Sequence, residues 1–186
     1  MPTLEGKTVA ILATHGYEQS ELEVPLQKLK DAGAEVHVVS PESGEIKGWK
    51  GKDWGQPVKV DRVLSEVSPA EYSALVLPGG VINPDILRAN DEAVAFVKAI
   101  FEAKKPIGAI CHGPWLLVEA DVLKGRKVTS FKSIKTDVVN AGGLWEDSEV
   151  VCDQAIVTSR SPDDLDAFCA KMVEEIAEGR HEKRAA

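Results

Sequence analysis

The sequence predicts an α/β fold in which a mainly parallel sheet carries helices on both faces. Short apolar runs, such as residues 9–13 and 107–110, alternate along the chain with segments whose apolar residues recur at helical spacing. Runs that are apolar at every position are typical of strands buried on both sides. Alternation of such strands with helices favours parallel pairing through crossover helices. Residues 1–186 show no repeat, linker or low-complexity tract, so we expect one domain.

The individual elements follow from local patterns. The predicted strands are, in chain order, residues 9–13, 36–39, 75–77, 107–110, 128–130, 149–151 and 155–157. The predicted helices centre on residues 22–29, 94–101, 115–118 and 165–176. We expect Gly33 to end the first helix, and Pro25 either to confine the regular part of that helix to later residues or to kink it. Residues 41–57, with four glycines, are expected to leave the sheet, and residues 181–186 to form a frayed tail.

Composition excludes several classes of protein. The 186 residues carry a net charge of −8 and are 44% hydrophobic, which argues against a disordered chain. An acidic surface argues against nucleic acid or anionic lipid as the main partner, because phosphate binding needs a basic footprint. The 3 cysteines form no disulfide framework, and no apolar run approaches the roughly 18 residues of a membrane span. We therefore expect a soluble, cytoplasmic protein with no membrane partner.

Three loops at the expected carboxyl ends of strands carry unusual residues. They are residues 14–18, 78–85 and 111–114, and they follow the first, third and fourth predicted strands. Ligands of an open α/β sheet bind outside the carboxyl ends of its strands. These loops are therefore expected to form the functional site.

Cys111 lies where a strand should turn sharply into a helix, with Gly108, Ala109 and Gly113 around it. A nucleophile elbow needs such small residues because its backbone is strained and tightly packed. The start of the following helix would stabilise a thiolate, so we expect the pKa of Cys111 to lie below that of a free cysteine. A buried structural cysteine that packs as a small hydrophobe is the alternative.

The remaining cysteines and histidines are weaker candidates. Cys169 lies on the apolar stripe of the last helix and Cys152 at a strand end, so both are expected to be packing residues. His112 adjoins Cys111, and only a sharp turn could bring its imidazole back to the sulfur. His15, at the end of the first strand, is the other candidate base or orienting group.

Glu18 is the acid expected beside the thiol, because it opens the first helical region from a loop that faces the elbow. A carboxyl beside a thiol can share a proton with it; ionised it opposes the thiolate, and protonated it donates a hydrogen bond. An exposed first-turn glutamate is the alternative, and we favour that interpretation for Glu21 and Glu23. Gly79 and Gly80 could direct backbone N–H groups into an oxyanion site, although a Pro-Gly-Gly run is most often only a turn.

Taken together, these motifs resemble the PfpI family, the intracellular-protease and stress-protein branch of the superfamily that contains the Parkinson-linked deglycase. The likeness runs over residues 6–177. Its marks are Gly-Tyr-Glu-Gln-Ser-Glu-Leu at 16–22, Ala-Leu-Val-Leu-Pro-Gly-Gly at 74–80, Ala-Ile-Cys-His-Gly-Pro at 109–114, Val-Asn-Ala-Gly-Gly at 139–143 and Thr-Ser-Arg-Ser-Pro-Asp-Asp-Leu at 158–165.

The resemblance implies a flavodoxin-like three-layer sandwich with Cys111 as the reactive nucleophile. It assigns the acid hydrogen-bonded to that cysteine to Glu18 and the catalytic histidine to His112. It assigns the oxyanion amides to Gly80 and to the N–H of His112. In hexameric relatives an acidic residue of a neighbouring subunit completes a Cys-His-acid triad, and that position falls on Asp85.

The resemblance also implies an activity. Proteins of this kind act as ATP-independent peptidases, as cofactor-free glyoxalases, or as deglycases of methylglyoxal- or glyoxal-modified side chains. We expect small aldehydes or glycated proteins and peptides as substrates, with no metal or other cofactor. A buried elbow suits a small adduct better than a folded protein, so peptidase ranks last. The resemblance further implies a homodimer or larger homo-oligomer, and residues 41–57 are where we expect an interface.

Two alternatives without catalysis stay open. Cys111 could be a redox sensor that is oxidised to sulfenic or sulfinic acid. The protein could also be a stress-induced holdase that binds unfolded clients. Class I glutamine amidotransferases share the elbow but need a catalytic histidine well downstream of the cysteine. After His112 the sequence offers His181 alone, in the tail, which nearly excludes that class.

Overall fold

The computed structural model describes residues 2–180, so the predicted tail at 181–186 lies outside the described residues. The strands are β1 Thr8–Leu12, β2 Glu35–Ser40, β3 Glu45–Lys50, β4 Asp53–Lys59, β5 Arg62–Val63, β6 Ala74–Leu77, β7 Ile107–Ile110, β8 Lys127–Val128, β9 Leu144–Trp145, β10 Val151–Asp153 and β11 Ile156–Ser159. The α-helices are α1 Gln19–Asp31, α2 Ile82–Arg88, α3 Asp91–Glu102, α4 Trp115–Glu119, α5 Lys135–Asn140 and α6 Leu165–Glu178.

Within the described residues, a seven-stranded sheet has the strand order β10-β11-β7-β6-β1-β2-β5. All neighbours pair in parallel except β10 and β11. The chain proceeds from β1 to β2 on one side and later returns to β6 on the other side of β1. This reversal of direction leaves a crevice at the carboxyl ends of β1 and β6, which is where ligands bind in such sheets.

Helices cover both faces of the sheet and bury its two apolar surfaces. Alternate side chains of β1 point to opposite faces. Ala10 and Leu12 belong to the apolar cluster under α2, α3, α4 and α5. Val9 and Ile11 belong to the cluster under α1 and α6. The result is the flavodoxin-like three-layer α/β architecture that the sequence predicts.

Some elements differ from the expectation. Helix α1 begins at Gln19 and continues through Pro25, so the expected confinement by that proline is wrong. Residues 41–57 do leave the main sheet, and their strands β3 and β4 form a separate antiparallel hairpin. Strand β8 pairs with β9 outside the main sheet, and α2 and α5 were not predicted. Among the described helices, none combines the length and apolar content that crossing a bilayer would require.

Candidate active site

Cys111 occupies a strained turn at the carboxyl end of β7. Its φ angle is +62°, a region that L-residues other than glycine and asparagine rarely adopt. Two backbone hydrogen bonds hold it there: its N–H donates to Ser159 O over 3.0 Å, and its carbonyl accepts from the N–H of Phe131 over 2.8 Å. A Cβ on Gly113 would collide with the carbonyl oxygen of Leu77. The backbone therefore forms the elbow that the small residues predict.

Two backbone amides converge on the sulfur of Cys111. The N–H groups of Gly80 and His112 both act on the thiol in the direction that lowers its pKa. Gly80 has a φ of +74°, and a Cβ at that position would lie 2.7 Å from the nitrogen of Glu18. A Cβ on Gly79 would lie 2.7 Å from the Cβ of Cys111. The glycine pair is thus required by the close approach of this loop to the elbow, and the expected oxyanion amides lie together.

The acid beside Cys111 is Glu21 and not Glu18. The carboxyl of Glu21 is fully buried and hydrogen-bonded to the thiol of Cys111. Its Oε2 accepts the N–H of Gly79 over 2.7 Å. Glu18 instead precedes α1 as its N-cap, is half-buried, and accepts a hydrogen bond from the hydroxyl of Ser20 over 3.1 Å. The placement of Glu18 against the thiol is therefore wrong, as is the expectation of an exposed Glu21.

Helical spacing explains this correction. Because α1 begins at Gln19, Glu21 shares a face with Leu22, Pro25 and Leu29, all of which are buried. That face packs toward the sheet, so Glu21 lies in the site, whereas Glu18 lies at the start of the helix. A glutamate in register with a buried stripe is the signal that could have identified it.

Burial raises the pKa of Glu21 to about 8, despite the opposing hydrogen bond from the amide of Gly79. Because Oε2 accepts that amide, the proton of the neutral acid belongs on Oε1, which has no nitrogen or oxygen partner among the described residues. Glu21 is therefore a group that holds a proton at neutral pH and can release it near pH 8.

The expected lowering of the Cys111 pKa is also wrong. Burial raises the pKa of this thiol above that of a free cysteine, and the carboxylate charge of Glu21 raises it further. The amides of Gly80 and His112 act in the opposite direction but do not compensate. The helix that was expected to stabilise a thiolate, α4, starts only at Trp115 and is five residues long. Its dipole is too short and too distant to dominate.

His112 turns back onto the sulfur, as the sharp elbow permits. Its Nδ1 lies 3.2 Å from Sγ of Cys111, and its Nε2 lies 3.1 Å from Oγ of Ser133. The imidazole stacks on the ring of Phe131 with centroids 4.8 Å apart and meets the edge of Trp115. Burial lowers its pKa. The arrangement is that of a neutral imidazole placed to accept the thiol proton.

The other predicted residues make no hydrogen bond to the thiol within residues 2–180. Nδ1 of His15 accepts the N–H of Lys47 over 3.1 Å, so this exposed ring belongs to the β3–β4 hairpin. Asp85 is exposed on α2, and among residues 2–180 it has no ion pair or side-chain hydrogen bond. Cys169 is buried, as predicted, and Cys152 is half-buried.

Asn83 is a buried residue of the site that sequence reasoning missed. Its Oδ1 accepts the N–H of Thr14 over 2.8 Å, and its Nδ2 donates to the carbonyls of Pro78 and Gly79 over 3.0 and 3.1 Å. One amide thereby ties the loop after β1 to the loop after β6. Its sequence signal is weak, since Asn before Pro indicates only a turn.

Metal ligands are not grouped in the part of the chain that the structure describes. Across residues 2–180, no three His, Cys, Asp or Glu side chains are placed so that they could hold an ion together.

Fold and site together define a class: α/β proteins with a cysteine at a strand–helix elbow, backed by a buried acid. The DJ-1/PfpI family model matches residues 7–175, and the chain belongs to that family. It is 48% identical over 165 residues to "Deglycase TK1284" of Thermococcus kodakarensis, covering 89% of this chain and 96% of that protein. It is 46% identical over 164 residues to "Protein/nucleic acid deglycase 2" of Escherichia coli, covering 87% and 93% of the two chains.

A solved structure agrees with the fold. A two-domain protein from Anabaena variabilis, with DJ-1/ThiJ/PfpI-like and ferritin-like domains, superposes with a TM-score of 0.86 at 36% identity. The match covers 97% of this chain and 52% of that longer one, so this chain spans about half of its length.

Proposed function

We propose that this protein is a cysteine-dependent enzyme that converts reactive dicarbonyls, free or as adducts on thiols and amines, to hydroxy acids. The observation that carries the proposal is the contact of one thiol with two proton-transfer groups, the carboxyl of Glu21 and Nδ1 of His112. The names of the Thermococcus and Escherichia relatives, both deglycases, support this class of substrate.

The first step is attack by sulfur. Sγ of Cys111 bonds to the aldehyde carbon of methylglyoxal while the thiol proton passes to Nδ1 of neutral His112. The carbonyl oxygen gains the electron pair, accepts hydrogen bonds from the amides of Gly80 and His112, and then takes the proton back. The product is a hemithioacetal. A raised thiol pKa is compatible with this route, because a proton acceptor lies 3.2 Å from the sulfur.

The second step is an internal proton transfer. Ionised Glu21 removes the hydrogen from the carbon bonded to sulfur, and the electron pair of that C–H bond forms the double bond of an enediolate whose charge lies on the former ketone oxygen. Neutral His112 takes the proton of the hydroxyl on the carbon bonded to sulfur and gives a proton to the former ketone oxygen. Glu21 then returns its proton to the neighbouring carbon, which leaves a lactyl thioester on Cys111. Water hydrolyses the thioester to lactate and the free thiol. Methylglyoxal and one water yield lactic acid, and no external oxidant or metal enters the balance.

An adduct on a thiol or amine enters the same sequence once Cys111 displaces the modified group, which leaves with a proton. Only 6% of Cys111 is exposed, which favours a small reacting group over a folded polypeptide. The raised pKa of Cys111 weighs against a redox sensor, because peroxide oxidises the thiolate.

Release of lactate from methylglyoxal tests the proposal. Cys111→Ala should lose activity by at least about 100-fold, and Cys152→Ala is the matched control that should keep it. Activity that persists in Cys111→Ala would refute the proposal. Supplying the preformed hemithioacetal of N-acetylcysteine with a scavenger of free methylglyoxal then separates deglycase from glyoxalase, because only a deglycase continues to release lactate.

A further inference from the structure

His112 is held at both ring nitrogens within a single chain. Nδ1 contacts the thiol of Cys111, and Nε2 contacts the hydroxyl of Ser133 over 3.1 Å. In the triad that the family resemblance implies, an acid of a neighbouring subunit would serve the histidine. Here a hydroxyl from the chain itself occupies that ring nitrogen.

We propose that Ser133 is the positioning residue of His112 and completes a Cys-His-Ser relay inside one chain. The inference rests on the proposed function for its kinetic consequence, but the contact itself can be tested without activity.

Ser133 is itself exposed, but the residues on either side of it anchor its backbone. It lies in a single helical turn, Lys132–Ile134, whose Ile134 is 2% exposed and anchored in the core. Phe131, two residues before Ser133, donates its N–H to the carbonyl of Cys111 and stacks on the imidazole of His112. The segment that carries the Ser133 hydroxyl is therefore hydrogen-bonded to the same elbow that carries the His112 ring.

The charges around the imidazole explain why a hydroxyl matters. Among residues 2–180, no carboxylate oxygen lies within ion-pair distance of His112. Two charged groups contact Trp115, which packs beside His112. The guanidinium of Arg88 lies 5.1 Å above the Trp115 ring, and Asp137 accepts the Nε1–H of Trp115 over 2.8 Å. On the other side lies the Cys111–Glu21 pair. None of these contacts replaces Ser133 at Nε2.

A hydroxyl can serve both forms of neutral imidazole. When Oγ accepts from Nε2–H, Nδ1 presents a lone pair that can take the thiol proton. When Oγ donates to Nε2, Nδ1 carries the proton and can return it. A carboxylate at the same place would fix one tautomer and stabilise the imidazolium. Ser133 therefore permits proton shuttling while burial keeps the ring neutral.

The test compares Ser133→Ala, Ser133→Thr and Ser133→Asp by 15N NMR of the His112 ring and by the pH dependence of kcat. Ser133→Ala should change the tautomer populations and lower kcat about tenfold, the worth of one hydrogen bond, with KM within about twofold. Ser133→Thr should restore both readouts. Ser133→Asp should move the ring titration to higher pH by about one unit or more and shift the acid limb of kcat with it.

Unchanged ring titration and tautomers in both Ser133→Ala and Ser133→Asp, with melting temperatures that match the parent protein, would overturn the inference. If the parent protein releases no lactate but the ring responds to these substitutions, Ser133 is a positioning residue and the proposed reaction is wrong. The two failures are thus distinguishable.

Discussion

The carboxyl of Glu21 and the thiol of Cys111 lie in contact in a site that is nearly closed to solvent, with 0% and 6% of the two residues exposed. Neither group has an oppositely charged partner there among the described residues, so each makes ionisation of the other more costly. The pair therefore titrates as a unit.

Substitution of Glu21 should separate it from Glu18 as the catalytic acid. Glu21→Gln keeps the shape of the side chain but can no longer exchange a proton, so lactate release should fall by about 100-fold or more. Glu18→Gln, on the same motif but outside the thiol contact, is the matched control and should stay within about twofold of the parent. Equal losses in both variants would contradict the assignment.

Stability should depend on pH through Glu21. Its pKa is raised from 4.5 to about 8 in the folded protein, so the folded state binds more protons than the unfolded state between these values. This contribution is fully present below pH 4.5 and is lost as pH rises toward 8, by up to about 1.4 kcal/mol per pH unit. Urea unfolding across that range should show the slope.

Glu21→Gln provides the comparison for that measurement. Other titrating groups affect both proteins alike, so the difference between their unfolding free energies isolates Glu21. It should move in favour of the Gln variant as pH rises from 5 to 8. A difference that stays constant with pH would show that Glu21 is not the raised group.

Alkylation of Cys111 should reflect a raised thiol pKa. Iodoacetamide reactivity against pH should have a midpoint above the roughly 8.5 of a free cysteine. Glu21→Gln should lower that midpoint, because it removes the carboxylate charge next to the sulfur. The measurement is made by mass spectrometry of the peptide that contains Cys111. A midpoint below that of a free cysteine in the parent protein would contradict the cause assigned here.

Removal of the Asn83 amide should destabilise the fold. Asn83→Leu leaves Thr14 N–H and the carbonyl of Pro78 without their partner, while the carbonyl of Gly79 keeps only the N–H of Glu18, at a cost of about 3 kcal/mol or more. Asn90→Ala removes one helix-cap bond and should cost about 1 kcal/mol. Denaturant titration compares the two, and an Asn83 variant no worse than the Asn90 control would refute the role of the crosslink.

The apolar face of α2 should mediate self-association. Val81, Ile82 and Ile86 are 56%, 41% and 47% exposed, and Asp85 lies among them. Such exposed apolar groupings mark interaction sites. Ile86→Asp should therefore lower the mass measured by light scattering, whereas Glu92→Asp on α3 should not. An unchanged mass would place any interface elsewhere, including the hairpin at residues 41–57.

The sequence predicts the sheet well because its strands are apolar at every position. Strand β7 occupies residues 107–110 as expected, and the elbow follows from the small residues around Cys111. The acid is predicted wrongly because Glu18 was placed in a loop facing the elbow and Glu21 in an exposed first helical turn, although Glu21 shares a face with the buried residues of α1. The thiol pKa was misjudged because the length of α4 and the degree of burial depend on tertiary packing. Ser133 carries no local signal, since its partner is 21 residues away.

At position 111 the backbone conformation and the proposed chemistry favour different residues. Glycine or asparagine would fit a φ of +62° with less strain than cysteine does, so folding alone would favour replacing it. In a mutational scan, replacement of Cys111 by glycine or asparagine should therefore keep protein abundance, whereas the same replacements should abolish turnover. The fold therefore retains cysteine at this position at the expense of backbone strain that glycine would relieve.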